Sequence, residues 1–192
     1  MRHFTIVAVL ALATAPLLAG TIHGKVAAHG VRNSADAVVF VDKIAGKTFA
    51  APKEHANIDQ KNMQFVPHVL AVQTGTTVDF LNSDAMLHNV FSPDPCADRF
   101  NLGTWPQGQK KSFTFTKDCD VSLLCKVHPE MEGFVVAVPT PYYAVTAADG
   151  SYEIKDVPDG TYTVKVWHPK LKGTEKNVKV AGATEADFEI KK

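Results

Sequence analysis

The stretch Cys125-Lys126-Val127-His128-Pro129-Glu130-Met131 brings a thiolate, an imidazole and a thioether into one short loop. A second imidazole stands upstream, in Leu87-His88-Asn89-Val90. Two His and one Cys in a trigonal set, with a distant Met on the axis, are the donors of a mononuclear blue-copper centre. Zinc would draw on further Cys or His, or keep an open water position, and has little use for a thioether. Each residue alone has an ordinary reading. His128 before a proline is a solvated loop residue, Met131 is core filler, and Cys125 is a buried thiol or half of a disulfide. Those readings leave the joint spacing with His88 unexplained. The expected ligands of one copper ion are therefore His88, Cys125, His128 and Met131. Glu130 is a competing oxygen donor, expected to face solvent, and Met86 is a weaker thioether candidate.

The segments around this loop read as short strands and turns. Ile22–Val26, Ala37–Val41, Phe65–Val72, Thr76–Leu81, Leu87–Ser92, Lys111–Thr116, Val121–Cys125 and Gly133–Val138 are strand-like. Ser112-Phe113-Thr114-Phe115-Thr116 alternates polar and apolar with period two, as a half-buried strand does. Gly75, Asn82, Asp84, Pro93, Pro95, Gly103 and Gly108 punctuate them. Residues 45–62 are polar, with Pro52, Lys53 and Glu54, and read as irregular. No helical period of useful length occurs, so an all-β sandwich is expected.

Residues 1–20 read as a cleaved secretory signal. Arg2 and His3 form a short polar start, and Phe4 to Ala19 is an apolar run broken only by Thr5, Thr14 and Pro16. That run is too short for a membrane-spanning helix. Leu17-Leu18-Ala19-Gly20 is similar to the start of a bacterial lipoprotein signal, but Thr21 stands where a lipidated Cys would be. The expectation is a soluble periplasmic protein with no membrane anchor in the mature chain. Lys+Arg and Asp+Glu are 20 each, which leaves no basic field for nucleic acid.

Export implies an oxidising compartment, and three Cys leave one without an intrachain partner. If Cys125 is a metal thiolate, Cys96 and Cys119 become the natural disulfide. Closing that loop of about two dozen residues is worth roughly 3 kcal/mol in the chain-entropy model. The alternative, a Cys119–Cys125 bridge with Cys96 free, would leave the Cys-His-Met spacing without a reason.

Pro139-Thr140-Pro141 marks a boundary. Beyond it, Tyr143–Thr146, Ser151–Ile154 and Thr161–Val166 read as strands, with Asp149-Gly150 and Asp159-Gly160 as hairpin-turn dipeptides between them. The run Ala147-Ala148-Asp149-Gly150-Ser151-Tyr152-Glu153-Ile154, followed by Val157-Pro158-Asp159-Gly160-Thr161-Tyr162-Thr163-Val164, resembles the carboxypeptidase-regulatory-like (transthyretin-like) sandwich family. The early strands that family places first are present far upstream, at Gly24-Lys25-Val26 and Ala37-Val38-Val39. Residues 21–52 and 141–192 are thus expected to form one small, discontinuous sandwich, with residues 53–140 inserted between its halves. A continuous copper-binding domain with a decorated N-terminal arm is the alternative.

From Phe65 to Val138 the chain resembles the cupredoxins, in particular the plastocyanin/amicyanin-like group. The landmarks are Val69-Leu70-Ala71-Val72, Gly75-Thr76-Thr77-Val78, Phe80-Leu81-Asn82-Ser83-Asp84, His88-Asn89-Val90 and the Cys125 loop. The resemblance implies a Greek-key β-sandwich. It makes His88, Cys125 and His128 equatorial ligands and Met131 the axial one, with His128 at the partly exposed edge. Asn89 is expected to tie the two ligand loops together by hydrogen bonds, and Pro129 to stiffen the loop. Among the other histidines, His68 is expected on an exposed strand, and His168 at the surface capping a strand end, with packing near the site or a second metal as its alternative. His23, His29 and His55 show no ligand spacing.

The function implied is non-enzymatic one-electron transfer between redox partners in the periplasm. A protein partner would dock at an apolar surface near the His128 loop, with Pro129, Phe134 and Phe91 as candidate contacts. The alternatives are a copper-binding protein of homeostasis or resistance, and a non-redox surface binding module.

Overall fold

Strands take up almost all of the regular structure, because the sequence punctuates short β-favouring runs with Gly, Pro, Asn and Asp and offers no helical period. The computed structural model describes residues 19–192. Residues 1–18 of the expected signal lie outside the described residues, while Ala19 and Gly20 begin the first strand. The strands in chain order are β1 (Ala19–Ala28), β2 (Val38–Val41), β3 (Ala56–Lys61), β4 (Gln64–Val66), β5 (Val69–Gln73), β6 (Thr77–Asn82) and β7 (His88–Phe91). There follow β8 (Asn101–Trp105), β9 (Lys110–Thr114), β10 (Cys119–Leu124), β11 (Glu132–Val138) and β12 (Tyr143–Val145). The last are β13 (Ser151–Pro158), β14 (Gly160–Trp167), β15 (Thr174–Val180), β16 (Ala183–Glu185) and β17 (Phe188–Ile190). Among the described residues a single 3-10 turn, Pro95–Ala97, interrupts them.

Four sheets stack in two sandwiches. Sheets β5-β11-β10-β7-β8 and β4-β3-β6-β9 enclose one core, with Ile58, Phe80, Val90, Trp105, Leu123 and Val135 fully or nearly buried. Sheets β13-β1-β16 (with β17 on β1) and β12-β2-β14-β15 enclose another, built on Ile22, Val39, Val41, Ile154, Val164 and Phe188. The ends of the chain share these last sheets: β1 runs antiparallel to β13, and β2 antiparallel to both β12 and β14.

Strand β11 reads as the unbroken apolar run Gly133-Phe134-Val135-Val136-Ala137-Val138 because both its faces are covered. Val135 and Ala137 point into the first core. Phe134, Val136 and Val138 pack on Val38, Val69 and Ala71, with Phe40, Tyr143 and Trp167 at the margin. This apolar layer joins the two sandwiches. His68 adds a polar pin beside it, its Nδ1 lying 2.8 Å from Asp36 Oδ2 and its ring edge-on to Phe134.

Several sequence expectations are corrected. Residues 45–62 are not irregular throughout, since β3 lies within them. Its sequence Ala-Asn-Ile-Asp-Gln-Lys hides the strand because only Ile58 and Gln60 face inward, and Gln60 Nε2 donates to Leu81 O. Strand β8 was hidden by Gly103, whose φ of 74° places a bend within it. Asp149-Gly150 and Asp159-Gly160 do not close hairpins, because β12 and β14 belong to one sheet and β13 to the other. They turn the chain across the sandwich, and β1 and β2 fill the neighbouring positions a hairpin would have used. At Gly150 the φ is 83° and a Cβ would stand 2.3 Å from Val26 O, so only Gly fits. His168 is not a surface residue: it is 7% exposed, and its Nδ1 accepts the Lys170 N–H at 3.0 Å. Burial holds its pKa below the usual imidazole range.

The outer face of the β4-β3-β6-β9 sheet carries a buried carboxylate, Asp79. Ser112 Oγ donates to it at 2.6 Å, His55 Nδ1 lies at 2.9 Å, and Lys110 Nζ forms an ion pair with it. Burial alone would raise this carboxyl, but the Lys110, Ser112 and His55 contacts outweigh it and lower the pKa to about 2. A folded-state pKa below the unfolded value contributes stability above roughly pH 4, and loses it as pH falls towards the folded value. Asp79→Asn is therefore expected to lower stability at neutral pH by roughly 1–3 kcal/mol. Urea midpoints should show the gap between wild type and variant shrinking between about pH 4 and pH 2.

Candidate metal centre

Each candidate ligand sits where a strand ends or begins. His88 opens β7, Cys125 directly follows β10, and His128 and Met131 lie in the loop that leads into β11. The β10–β11 register, with Leu124 opposite Glu132, and the pairing of Leu124 with Phe91 draw these segments together. Within the loop Met131 N–H donates to His128 O at 3.0 Å, and Pro129 in that turn fixes φ and removes a competing donor.

The structure brings His88, Cys125 and His128 together, with a donor atom of each within 4.8 Å of the others. His88 is 0% exposed, Cys125 3% and Met131 1%, whereas His128 is partly exposed. Met131 lies in the same apolar cluster as Cys125. Glu130 faces solvent, as the sequence implied.

Asn89 lies at the crossing of three segments. Its backbone N–H points at Cys125 Sγ from 3.4 Å, and its side-chain oxygen accepts the Lys126 N–H at 3.3 Å. Its amide donates to Asn101 Oδ1 at 2.9 Å and to Gly103 O at 2.7 Å. The bend at Gly103 therefore aims a carbonyl at the residue that holds the thiolate loop. These bonds orient the ligands rather than supply donors.

Asp84 was missed by the sequence reading, where it served only as a turn residue. Its Oδ2 lies 2.8 Å from His88 Nε2, and the pair lines up four residues apart along the chain. Asn62 N–H and Met63 N–H hold the same carboxylate at 2.7 and 2.9 Å. Burial would raise the carboxyl, but the Met63 N–H, the His88 ring and the Asn62 N–H hold it below its ordinary value. An ionised Asp84 accepts the Nε2 proton of His88, which leaves Nδ1 as a lone pair. That Nδ1 faces His128 Nδ1 at 3.0 Å. A His128 Nδ1–H would donate to it at that distance, and a bound cation would take the place of that proton. With a thiolate beside the two rings, the donor set suits a soft or borderline metal ion, and the residues fit copper.

Residues 52–138 match the family model described as copper binding proteins, plastocyanin/azurin family. This segment is similar to that family. A second match covers residues 137–187 and is described as polysaccharide lyase family 4, domain II. No curated protein matches the chain. Among solved structures, a reduced amicyanin variant is 28% identical, covering 45% of this chain and 85% of its own, with a TM-score of 0.42. A purple cupredoxin from Nitrosopumilus maritimus is 25% identical, covering 43% and 98%, with a TM-score of 0.39. A copper-containing nitrite reductase from Thermus scotoductus is 23% identical, covering 52% of this chain but 25% of its own, with a TM-score of 0.44.

One docking candidate changes, since Phe134 is buried between the sandwiches. Phe91 is partly exposed, with Lys126 Nζ 5.2 Å above its ring, and Pro129 is exposed. Leu87, Met86 and Val127 are further exposed apolar side chains in the ligand-bearing segments.

Asp84→Asn keeps the shape but exchanges a charged acceptor for an amide. Chelator-competition titration should show copper affinity lower by about 10–100-fold, with the fold retained by circular dichroism.

Proposed function

We propose that the chain is a periplasmic one-electron carrier, not an enzyme, holding a single copper ion between His88, Cys125, His128 and Met131. The observation that carries this reading is the convergence of a buried thiolate and two imidazole nitrogens within 4.8 Å. Bound copper would supply a one-electron couple at this position. The protein's part is to hold four donors still. Asn89 fixes the thiolate loop, Asp84 fixes the His88 tautomer, and the β10–β11 register fixes the loop that carries His128 and Met131. Side chains so constrained move little between oxidation states, which suits rapid electron exchange.

His128 is the partly exposed member of the set. Exposed Leu87, Met86 and Val127 beside the ligands supply an apolar surface for a protein redox partner. A formal net charge of zero supports association with little dependence on ionic strength. Among the described residues no helix is long and apolar enough to cross a membrane. We also read residues 53–140 as inserted into a transthyretin-like sandwich of residues 21–52 and 141–192. The pairing of β1 with β13 and of β2 with β14 supports that boundary.

The Cu(II) protein should show an intense thiolate-to-copper band in the visible, with a matching EPR signal. Cys125→Ser should abolish the band, and its survival there overturns the ligand set. Cys96→Ser removes the Cys96–Cys119 disulfide, and should cost roughly 2–4 kcal/mol of stability while leaving the band in place. Fast electron self-exchange supports the carrier role. Slow exchange would assign the same four side chains to copper storage or delivery.

A further inference from the structure

The face of the β12-β2-β14-β15 sheet that meets the copper-site sandwich is only partly covered by it. Register sets Lys165 opposite Phe40 on one side and Glu175 on the other. The two-residue repeat of a strand puts Trp167 on the same face as Lys165. Phe134 covers one side of Trp167, with ring centroids 5.6 Å apart. The rest of the face opens into a groove. A cavity of about 240 Å³ lined by Phe40, Trp167, Val136 and Pro139 continues past Lys165 into one of about 410 Å³ bounded by Thr174 and Glu175. It is an open groove rather than an enclosed pocket, and it lies at the junction of two packed units, where ligands commonly bind.

Both lysines on its walls are already paired with carboxylates, and Asp120, opposite Val136, adds a carboxylate with no ion-pair partner among the described residues. Lys165 Nζ lies 2.6 Å from Asp42 Oδ2 and 3.7 Å from Glu175 Oε2, and Lys43 Nζ lies 3.0 Å from Asp118 Oδ2. Burial would raise the Asp42 carboxyl, but Lys165 and Lys43 hold it low, and Asp42 in turn holds the Lys165 ammonium high. An anionic ligand would meet this surplus of carboxylates and would have to break one of the pairs to reach a lysine. A neutral ligand bearing hydroxyls would not, because carboxylate oxygens keep free lone pairs and the ammonium keeps free N–H donors. Next to these groups lie aromatic surfaces that suit the C–H face of a sugar ring, a flat amphipathic partner. We propose that this groove binds a neutral oligosaccharide, with one ring stacked over Trp167 and Phe40 and hydroxyls bonded to Asp42 and Lys165. The proposal rests on the second sandwich and is independent of the copper reading.

The test is an amide and indole NMR titration of the whole protein, metal-free or in the diamagnetic Cu(I) state, with cellohexaose, maltohexaose and chitohexaose. At least one should give saturable shifts of the Trp167 indole and of the Lys165 and Thr174 amides up to roughly 10 mM, with the Gly103 and Leu87 amides unmoved. Trp167→Ala should weaken binding by about ten-fold. Should that variant lose its fold, Asp42→Asn provides the second arm, and at least a threefold loss on the order of one hydrogen bond is expected. No shift in the groove with any of the three sugars overturns the proposal. So does unchanged binding by folded Trp167→Ala, or tighter binding of a heparin-derived hexasaccharide than of the neutral sugars.

Discussion

Strand β11 is the constraint on which the rest of the molecule depends. It is covered on one face by the core behind the ligand loops and on the other by the second sandwich. Its first residues follow the turn that carries His128 and Met131, and its pairing with β10 sets the position of Cys125. A shift of one residue in this strand would swap both buried faces and displace the ligand loop at the same time. The two-faced burial therefore pins the register of the metal centre from outside it. It also explains why Phe134, which follows the ligand loop closely in sequence, is an anchor between sandwiches rather than part of the surface near His128.

Around the site, polar groups act as fixtures in an apolar surround. His88 is wholly buried yet keeps both ring nitrogens engaged, one with Asp84 and one facing His128. Asn89 uses its backbone N–H, its carbonyl oxygen and its amide nitrogen. A buried polar network with its members satisfied is rigid, because loss of any bond strands a partner away from water.

The Cys125–Met131 loop and the all-β class were legible because their signals are local. Cys125, His128 and Met131 share one loop, and period-two alternation at Ser112–Thr116 is a property of adjacent residues. What was illegible depended on distant contacts. Strand β3 is polar because one of its faces is solvated and because Gln60, on the buried side, donates its side-chain amide to Leu81 O. Asp84 looks like turn punctuation until the fold turns its carboxylate onto the His88 ring. His168 looks like a strand-end surface residue until the chain folds back so that Lys170 N–H reaches it. The dipeptides Asp149-Gly150 and Asp159-Gly160 announced turns correctly but not their partners, since strand pairing was decided by β1 and β2 from the other end of the chain.

Thr140 Oγ1 donates to Val41 O at 2.7 Å, across 99 residues of chain. Bringing two such points together in an unfolded chain costs about 4 kcal/mol of loop-closure entropy. Once the intervening segment has folded, its entry and exit already lie side by side, and that cost no longer falls on the strands flanking it. Mutations that loosen the copper-site sandwich should then also slow the assembly of a sandwich they do not touch, because β2 and β12 would again have to find each other as the ends of a long free loop.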